Sequence, residues 1–343
     1  MRARSRLGRC AAAAALALLA LLASCGAPYG APVRVVIPKG ASFSEATDSL
    51  ARVGIVRSPR LFALYASVGG HDRDLKAGTY RLQRGSPWAS LIDALTSGRG
   101  LVHTVLIPEG FALSAIAPLL ARALDLPRDS VDVAVRDSAL RRQLDVPTPT
   151  LEGYLFPDTY AFNDETSARS AVREMVRRFE RAWKPSWSAR LDTLAMSRHD
   201  VMTLASIVEK EAQRPEERAV IAAVYHNRLR LRMLLQADPT VQYARGAHTT
   251  RVLYRDLALE SAYNTYKHAG LPPGPIASPG AASIEATLYP ASVPYLYFVA
   301  HPDGHHEFRT TYREHLQAVA AMRRLRDDGS LSPARPVAPP RRR

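Results

Sequence analysis

The sequence predicts an α+β protein, with small strand–turn–helix modules followed by a mainly helical domain with long loops. Three observations predict it. A strand, a Pro-x-Gly turn and a helix occur near the start and again about seventy residues later. From Leu151 the periodicity lengthens into substantial helices. Between Ala237 and Pro294 the chain is rich in Pro, Gly, Asn and Tyr, the composition of long ordered loops. The 343 residues suggest about two domains, and 47% hydrophobic with 23% charged residues is ordinary for a folded chain.

The first module begins after a short linker, Gly26 to Pro32. The β-branched residues Val33, Val35, Val36 and Ile37 predict a strand, and "PKG" turns the chain. Ser44-x-x-Thr47 leads into a helix carrying Ala46, Leu50 and Val53, stopped at Gly54. A second strand is expected around Thr79 to Leu82, then a turn at Gly85 and a short helix from Trp88 to Leu95. "HTVLIPEGFALSAIAPLLARAL" then repeats V-x-I-P-x-G and continues into a helix with Ile116, Leu119, Leu120 and Leu124. Repeated units of this size build small α+β modules over residues 33–125, more often a platform than a catalytic centre. A polar segment, 126–150, connects them to the second domain, 151–327.

That domain opens on "LEGYLFPDTYAF". Helices are expected over Ala168–Trp183, from His199 to about Gln213 and from Glu216 to about Met233; Tyr295–Ala300 reads as a strand and Tyr312 to about Asp327 as a final helix. Residues 328–343 are Pro/Arg-rich and are expected to be a disordered tail.

The two ends narrow the setting. Residues 1–25 combine a basic start with an uninterrupted apolar run, Cys10 to Ala23, of 14 residues. That is the pattern of an export signal and is short of the roughly 20 residues of a comfortable transmembrane helix. It ends in "LASC", similar to a lipobox, which makes Cys25 the candidate lipidation site; the alternative is an uncleaved membrane anchor. Cys10 and Cys25 are the only cysteines, so the exported body has no disulfide, cysteine–zinc site or cysteine nucleophile. The net charge of +14 suits anionic partners, and export directs it to phospholipid and cell wall, away from nucleic acid.

Candidate chemistry gathers around "LASIVEKEA", Leu204 to Ala212. Residues two apart on a helix point about 200° from one another, so Glu209 and Glu211 cannot share a site. Glu209 shares its face with Met202, Ala205 and Ala212; Glu211 shares its face with Leu204, Ile207 and Val208. Both faces are apolar enough to favour a protonated carboxyl, the condition for a general acid near neutral pH. Either could instead pair with an arginine of the next helix, such as Arg218 or Arg228. Helix geometry leaves the two tied. Downstream, Gln236, Asp238, Gln242, Tyr243, Tyr263, Asn264 and Tyr266 supply aromatic planes beside hydrogen-bonding groups, as a sugar cleft requires. The histidines at 301, 305, 306 and 315 lack zinc-site spacing, and neither a serine-hydrolase elbow nor a P-loop occurs; no metal and no cofactor is expected.

"LEGYLFPDTY", "ASIVEKEA", "NRLRLRMLLQADPTVQY", "YNTYKHAGLPPGPIASPG" and "YLYFVA…HEF" resemble, in that order, the motifs of the MltG (YceG-like) endolytic murein transglycosylases. The resemblance spans about residues 33 to 325. It implies LysM-like modules ahead of a catalytic domain, and peptidoglycan glycan strands as the substrate. It also implies Glu209 as the catalytic acid, Glu211 as a supporting carboxylate, and peptidoglycan synthases as possible partners. The expected reaction cleaves the bond between N-acetylmuramic acid and N-acetylglucosamine within a strand and closes a 1,6-anhydro ring. Glu152, Gln236, Asp238, Tyr243, Asn264 and Tyr266 are the candidates for positioning glycan; Glu152 has the alternative of locking a domain interface. A glycan-binding scaffold without catalysis is the first alternative. True hydrolysis is the second, and would set Asp158 or Asp238 opposite Glu209. The family carries a transmembrane helix where this chain has the lipobox-like "LASC", so an inner-membrane position follows from the resemblance and a lipoprotein from the residues.

Overall fold

The computed structural model describes residues 29–71, 74–98, 100–163, 166–246 and 252–327. The expectations for the export signal, for Cys25 and for the 328–343 tail lie outside these residues. Among the described residues no helix is long and apolar enough to cross a membrane.

The chain divides into two units, Met1–Val105 with Tyr160–Thr166, and Leu106–Thr159 with Ser167–Arg343. In the first, β1 (Tyr29–Ile37) pairs antiparallel with β2 (Gly78–Arg84), Val35 opposite Tyr80. Three helices, α1 (Phe43–Arg52), α2 (Pro59–Val68) and α3 (Trp88–Ser97), complete it. Helix α1 starts two residues earlier than the sequence suggested. Ser42 caps it, accepting from the Glu45 N–H while the Glu45 carboxylate accepts from the Ser42 N–H at 2.7 Å, a reciprocal capping box. Its Ala46 and Leu50 are fully buried with Phe62, Tyr80 and Leu95. Phe62 stands between Phe43 and Trp88, with ring centroids at 5.9 and 5.7 Å. Helix α2 went unrecognised because its apolar residues lie on both faces: Phe62 and Ala66 are buried, whereas Leu61, Leu64 and Val68 are exposed.

The division falls inside the second strand–turn–helix unit. β3 (Val102–Ile107) starts in the first unit and ends in the second, and β4 (Asp158–Asn163), its partner strand, crosses back. Helix α4 (Leu113–Ala123) therefore belongs to the second unit. The segment read as a polar connector holds two short helices, α5 (Arg128–Ala134) and α6 (Ser138–Gln143). They bury Val131, Ala134 and Leu140, which are too few and too widely spaced to register as a periodic pattern.

The rest of the second unit comprises α7 (Ala168–Ala182), α8 (Pro185–Leu194), α9 (Arg198–Glu211), α10 (Arg218–Arg230), α11 (Asp238–Arg245), α12 (Ala281–Leu288), the hairpin of β5 (Tyr297–Ala300) with β6 (His306–Arg309), and α13 (Tyr312–Asp327). Helices α11 and α12 interrupt the stretch read as continuous loop; each is only 8 residues long, shorter than a clear helical period requires. The second unit is organised around α9. Every residue from Val201 to Val208 is buried, so this helix has no solvent face along its middle. It packs against α10 and α12. Leu204, Ile207 and Val208 share a core with Ile221, Ala222, Tyr225, Leu235 and Ile276. Truncating a leucine such as Leu204 there costs about 2–5 kcal/mol through lost burial and the cavity left behind. Ser197 caps the helix in a second capping box, with Asp200. The helix stops at Glu211, four residues before Pro215.

Candidate active site

The segment Leu271–Gly280 contains four prolines, which fix φ and donate no hydrogen bond. Three of its remaining N–H groups fasten it along α9 and the turn after β3. The Ile276 N–H donates to Ser206 Oγ at 3.0 Å, the Ser278 N–H to the Phe111 carbonyl at 2.8 Å and the Gly280 N–H to Glu209 Oε2 at 3.0 Å. Near the other end of α9, His199 Nε2 lies 2.8 Å from the Pro273 carbonyl and its Nδ1 lies 2.9 Å from the Tyr154 hydroxyl. The segment thus follows the helix from residue 199 to 209, about 15 Å of rise. It ends at the N-terminus of α12, where a carboxylate is favoured by the helix dipole.

Glu209 sits at that end. Its side chain is 8% exposed, and among the described residues its polar partners are the Gly280 N–H and Arg218, whose guanidinium nitrogen is 3.9 Å from Oε1. Arg218 is held by a 3.1 Å hydrogen bond from Nε to Ser283 Oγ. Glu211 emerges on the opposite side of α9 in different company. It accepts from the Tyr225 hydroxyl at 3.1 Å. Burial, then the charge of Asp238, pushes its carboxyl up to about 7, against the Tyr225 hydrogen bond and the nearby Arg228. Arg228 itself is buried and donates to the carbonyls of Leu296 and Leu235, both at 2.7 Å. Arg218 therefore pairs with Glu209, whereas Arg228 acts on Glu211 only through its nearby charge, and the two glutamates sit in separate environments.

The other expected site residues fall into groups. Tyr266 donates to Asp238 at 2.6 Å beside Glu211. Gln236, next to them in sequence, is exposed, with its N–H bonded to the Thr265 carbonyl. Tyr243 donates to Glu152 at 3.2 Å and stacks at a tilt on Tyr263, centroids 4.9 Å apart. Glu152, Tyr243, Tyr263 and Gln242 line a cavity of about 430 Å³ whose rim carries Arg128 and Arg136. Two expectations need correction on geometry. Asn264 is fully buried; its amide donates to the Leu257 and Leu259 carbonyls and accepts from the Tyr266 N–H, so it shapes its own loop and presents nothing to a ligand. Glu152 is 5% exposed and caps α4, accepting from the Leu113 N–H at 3.0 and 3.2 Å. Burial pushes it up to about 7 despite those bonds. Its carboxyl is thus largely committed to the protein. Asp158 pairs with Arg178, and Asp238 accepts from Tyr266 while its charge repels that of Glu211.

A carboxylate that feels the charge of Glu209 is one the sequence reading passed over, Glu109 of "IPEG". Gly110, beside it, has φ +73°, and a β-carbon there would meet Glu209 Cγ at 3.7 Å and Lys210 Cδ at 3.6 Å. The Gly110 N–H donates to the Ser278 carbonyl at 2.8 Å, and the Lys210 ammonium donates to the Gly110 carbonyl at 3.3 Å. The signal lay in the repeat: the first copy has Lys39 where the second has Glu109. Among the described residues no three His, Cys, Asp or Glu side chains cluster as a metal site, and the buried His306 is bonded to Glu217 at 2.6 Å.

The fold and site define an α+β protein that sets a shielded glutamate beside an arginine and a second carboxylate, at the end of a proline-rich segment. The chain belongs to the YceG-like family, whose model matches residues 35–321. It is 36% identical over 302 residues to the endolytic murein transglycosylase of Bacillus subtilis (strain 168), covering 83% of each chain. It is 32% identical over 299 residues to the endolytic murein transglycosylase of Streptococcus pneumoniae serotype 2, covering 78% of this chain and 54% of that one. A crystal structure of a YceG-like protein from Listeria monocytogenes is similar with a TM-score of 0.61 at 34% identity, covering 83% of this chain and 98% of that one.

Proposed function

We propose that this chain is an endolytic murein transglycosylase in which Glu209 acts first as acid and then as base. Protonated Glu209 gives its proton to the glycosidic oxygen between N-acetylmuramic acid and N-acetylglucosamine, and the C1–oxygen bond breaks. The carboxylate then takes the proton of the muramyl C6 hydroxyl as that oxygen bonds to C1, giving the 1,6-anhydro ring. An intramolecular hydroxyl has a high effective concentration, which supplies rate without an activated water. The observation that carries the reading is the placement of Glu209. It alone of the two glutamates ends beside an exposed turn, with a dipole-favoured N–H and an arginine to stabilise its charged form. Glu211, enclosed by Tyr225, Arg228 and Asp238, supports the helix end from the other face.

In this reading residues 151–327, with the turn and helix at 106–125, form the catalytic part. The 33–105 portion is LysM-like, and the N-terminal segment anchors the body outside the cytoplasm, by lipidation of Cys25 or by an uncleaved helix. Nascent glycan strands are the substrate; Gln236, Asp238, Tyr243 and Tyr266 position them, and peptidoglycan synthases are the partners that would supply them. The test is digestion of purified peptidoglycan by the exported body and by Glu209→Gln, with product ends identified by mass spectrometry. Internal fragments with 1,6-anhydromuramyl ends from the wild type alone support the reading. Reducing ends would make the enzyme a hydrolase, and binding without cleavage by either protein would make it a scaffold.

A further inference from the structure

Glu109 rides on a turn that is fixed from two sides, by the paired main-chain bonds between Gly110–Phe111 and Ser278 and by Lys210 on the Gly110 carbonyl. Its side chain passes directly over Gly280. A β-carbon at 280 would lie 1.9 Å from Glu109 Oε1 and 2.2 Å from its carboxyl carbon, so only glycine leaves room for this carboxylate. The same Gly280 donates its N–H to Glu209. With standard backbone dimensions, the two carboxyls then stand within about 8 Å of each other. They differ in support. Glu209 is shielded and has a hydrogen bond; Glu109 is exposed and has no hydrogen-bond partner among the described residues. The charged groups facing Glu109 are Glu209 and Lys210 on α9 and Arg218 on α10.

Two carboxylates this near one another oppose joint ionisation, so such a pair keeps one proton at a pH where a lone carboxyl has lost it. The hydrogen-bond donor and the arginine lie on the Glu209 side of the pair. Although the residue is exposed, its carboxyl end lies against Gly280 and is partly desolvated, which together with the charge of Glu209 raises Glu109, with Arg218 opposing. We propose that Glu109 is a further functional carboxyl of this site, a proton store that loads Glu209. At rest the proton sits on Glu109. When glycan covers the site the proton moves to Glu209, directly or through one water, and leaves Glu109 as the carboxylate beside the developing positive charge at C1. Glu209 then protonates the leaving oxygen and recovers a proton from the attacking hydroxyl, which returns to Glu109 as product leaves. No proton is gained or lost over the cycle.

This inference rests on Glu209 being the acid, and its test separates the two ideas. Cleavage kinetics against pH are measured for the wild type, Glu209→Gln, Glu109→Gln, Glu109→Asp and Gly280→Ala, with melting temperatures to show that each folds. Glu109→Gln should lower kcat on the order of 10- to 100-fold with KM changed by less than about threefold, and should move the alkaline limb of the profile to lower pH. Glu109→Asp should restore part of kcat, and Gly280→Ala, which evicts the carboxylate without altering it, should mimic Glu109→Gln. Wild-type kcat and an unmoved alkaline limb in Glu109→Gln would overturn the proposal. A second readout needs no turnover: the carboxyl-carbon NMR titration of Glu109 should shift to lower pH in Glu209→Gln. An unshifted titration overturns the pairing even if Glu209→Gln is inactive. A shifted one, together with full activity of Glu209→Gln, keeps the pair and removes Glu209 as the acid.

Discussion

Ile37–Pro38–Lys39–Gly40 and Ile107–Pro108–Glu109–Gly110 are nearly the same turn in different surroundings. Both follow a strand whose last isoleucine is buried, and both turn on a glycine with positive φ, +82° and +73°. Around Gly40 a β-carbon would meet nothing within 4 Å, whereas around Gly110 it would meet Glu209 and Lys210. The helices that follow differ likewise. Helix α1 is capped by its own Ser42 and Glu45, while α4 has Ala112 at its cap position and takes Glu152 from 39 residues further along the chain. The first copy is self-sufficient. The second has no local side-chain cap and is held by contacts from Glu152, Ser278 and Lys210, which fix its turn beside Glu209. Similar local sequence thus yields the same backbone, and tertiary partners decide whether that backbone stands alone or is built into its surroundings.

Exchanging the distinguishing residues should break the comparison most sharply. Glu109→Lys converts the second turn into the first and sets a third cation beside Lys210 and Arg218; cleavage of peptidoglycan should fall by on the order of 100-fold or more. Lys39→Glu converts the first into the second and should leave the cleavage rate unchanged.

The two caps should respond differently to pH. Glu152 is raised to about 7 from an ordinary 4.5, so the folded protein binds its proton more tightly than the unfolded chain. Its contribution is present below the unfolded value and is lost as pH rises toward 7. That is on the order of 3 kcal/mol of decline across the window. Glu211 adds a decline of the same sign over the same range. Urea unfolding of Glu152→Gln between pH 4.5 and 7.5 should show a flatter fall than the wild type, by about half. An unchanged slope would mean that Glu152 is ionised in the folded state.

Replacing the glycines should sharpen the contrast. Gly40→Ala and Gly110→Ala each force an L-residue into the left-handed region, at about 1–2 kcal/mol of stability. Only Gly110→Ala should also lower kcat, because its turn carries Glu109. The smallest effect belongs to Ser42→Ala, which removes half of the α1 capping box. It should cost about 1 kcal/mol by thermal unfolding and leave cleavage untouched.

Much of the fold was legible where pattern and burial agree. The strands at Val33–Ile37 and Thr79–Leu82 and the helices near 88, 168, 199, 216 and 312 all appear, because each is either clearly periodic or, as at 199 and 216, a long apolar run of helix-forming residues. Helices α2, α5, α6, α8, α11 and α12 were missed. They are six to ten residues long, and in some the apolar residues face both the core and water, so periodicity had little to act on. Within the site, the "IVEKE" pair and the aromatic–amide composition were visible. Glu109, Gly280 and the cap function of Glu152 were not, since each depends on a partner 39 or more residues away.

By itself the sequence determined the repeated turn, the buried run of α9 and the opposed directions of Glu209 and Glu211, because bond geometry and a 3.6-residue period act over a few neighbours. Only the tertiary structure decided which glutamate meets the Gly280 N–H and Arg218, and which second carboxyl stands beside it. The Gly280 contacts with Glu209 and Glu109 join residues about 70 and 170 apart in the chain, and although Arg218 is near in sequence it reaches Glu209 only through the packing of α10 on α9, so no local rule specifies which carboxyl each will find.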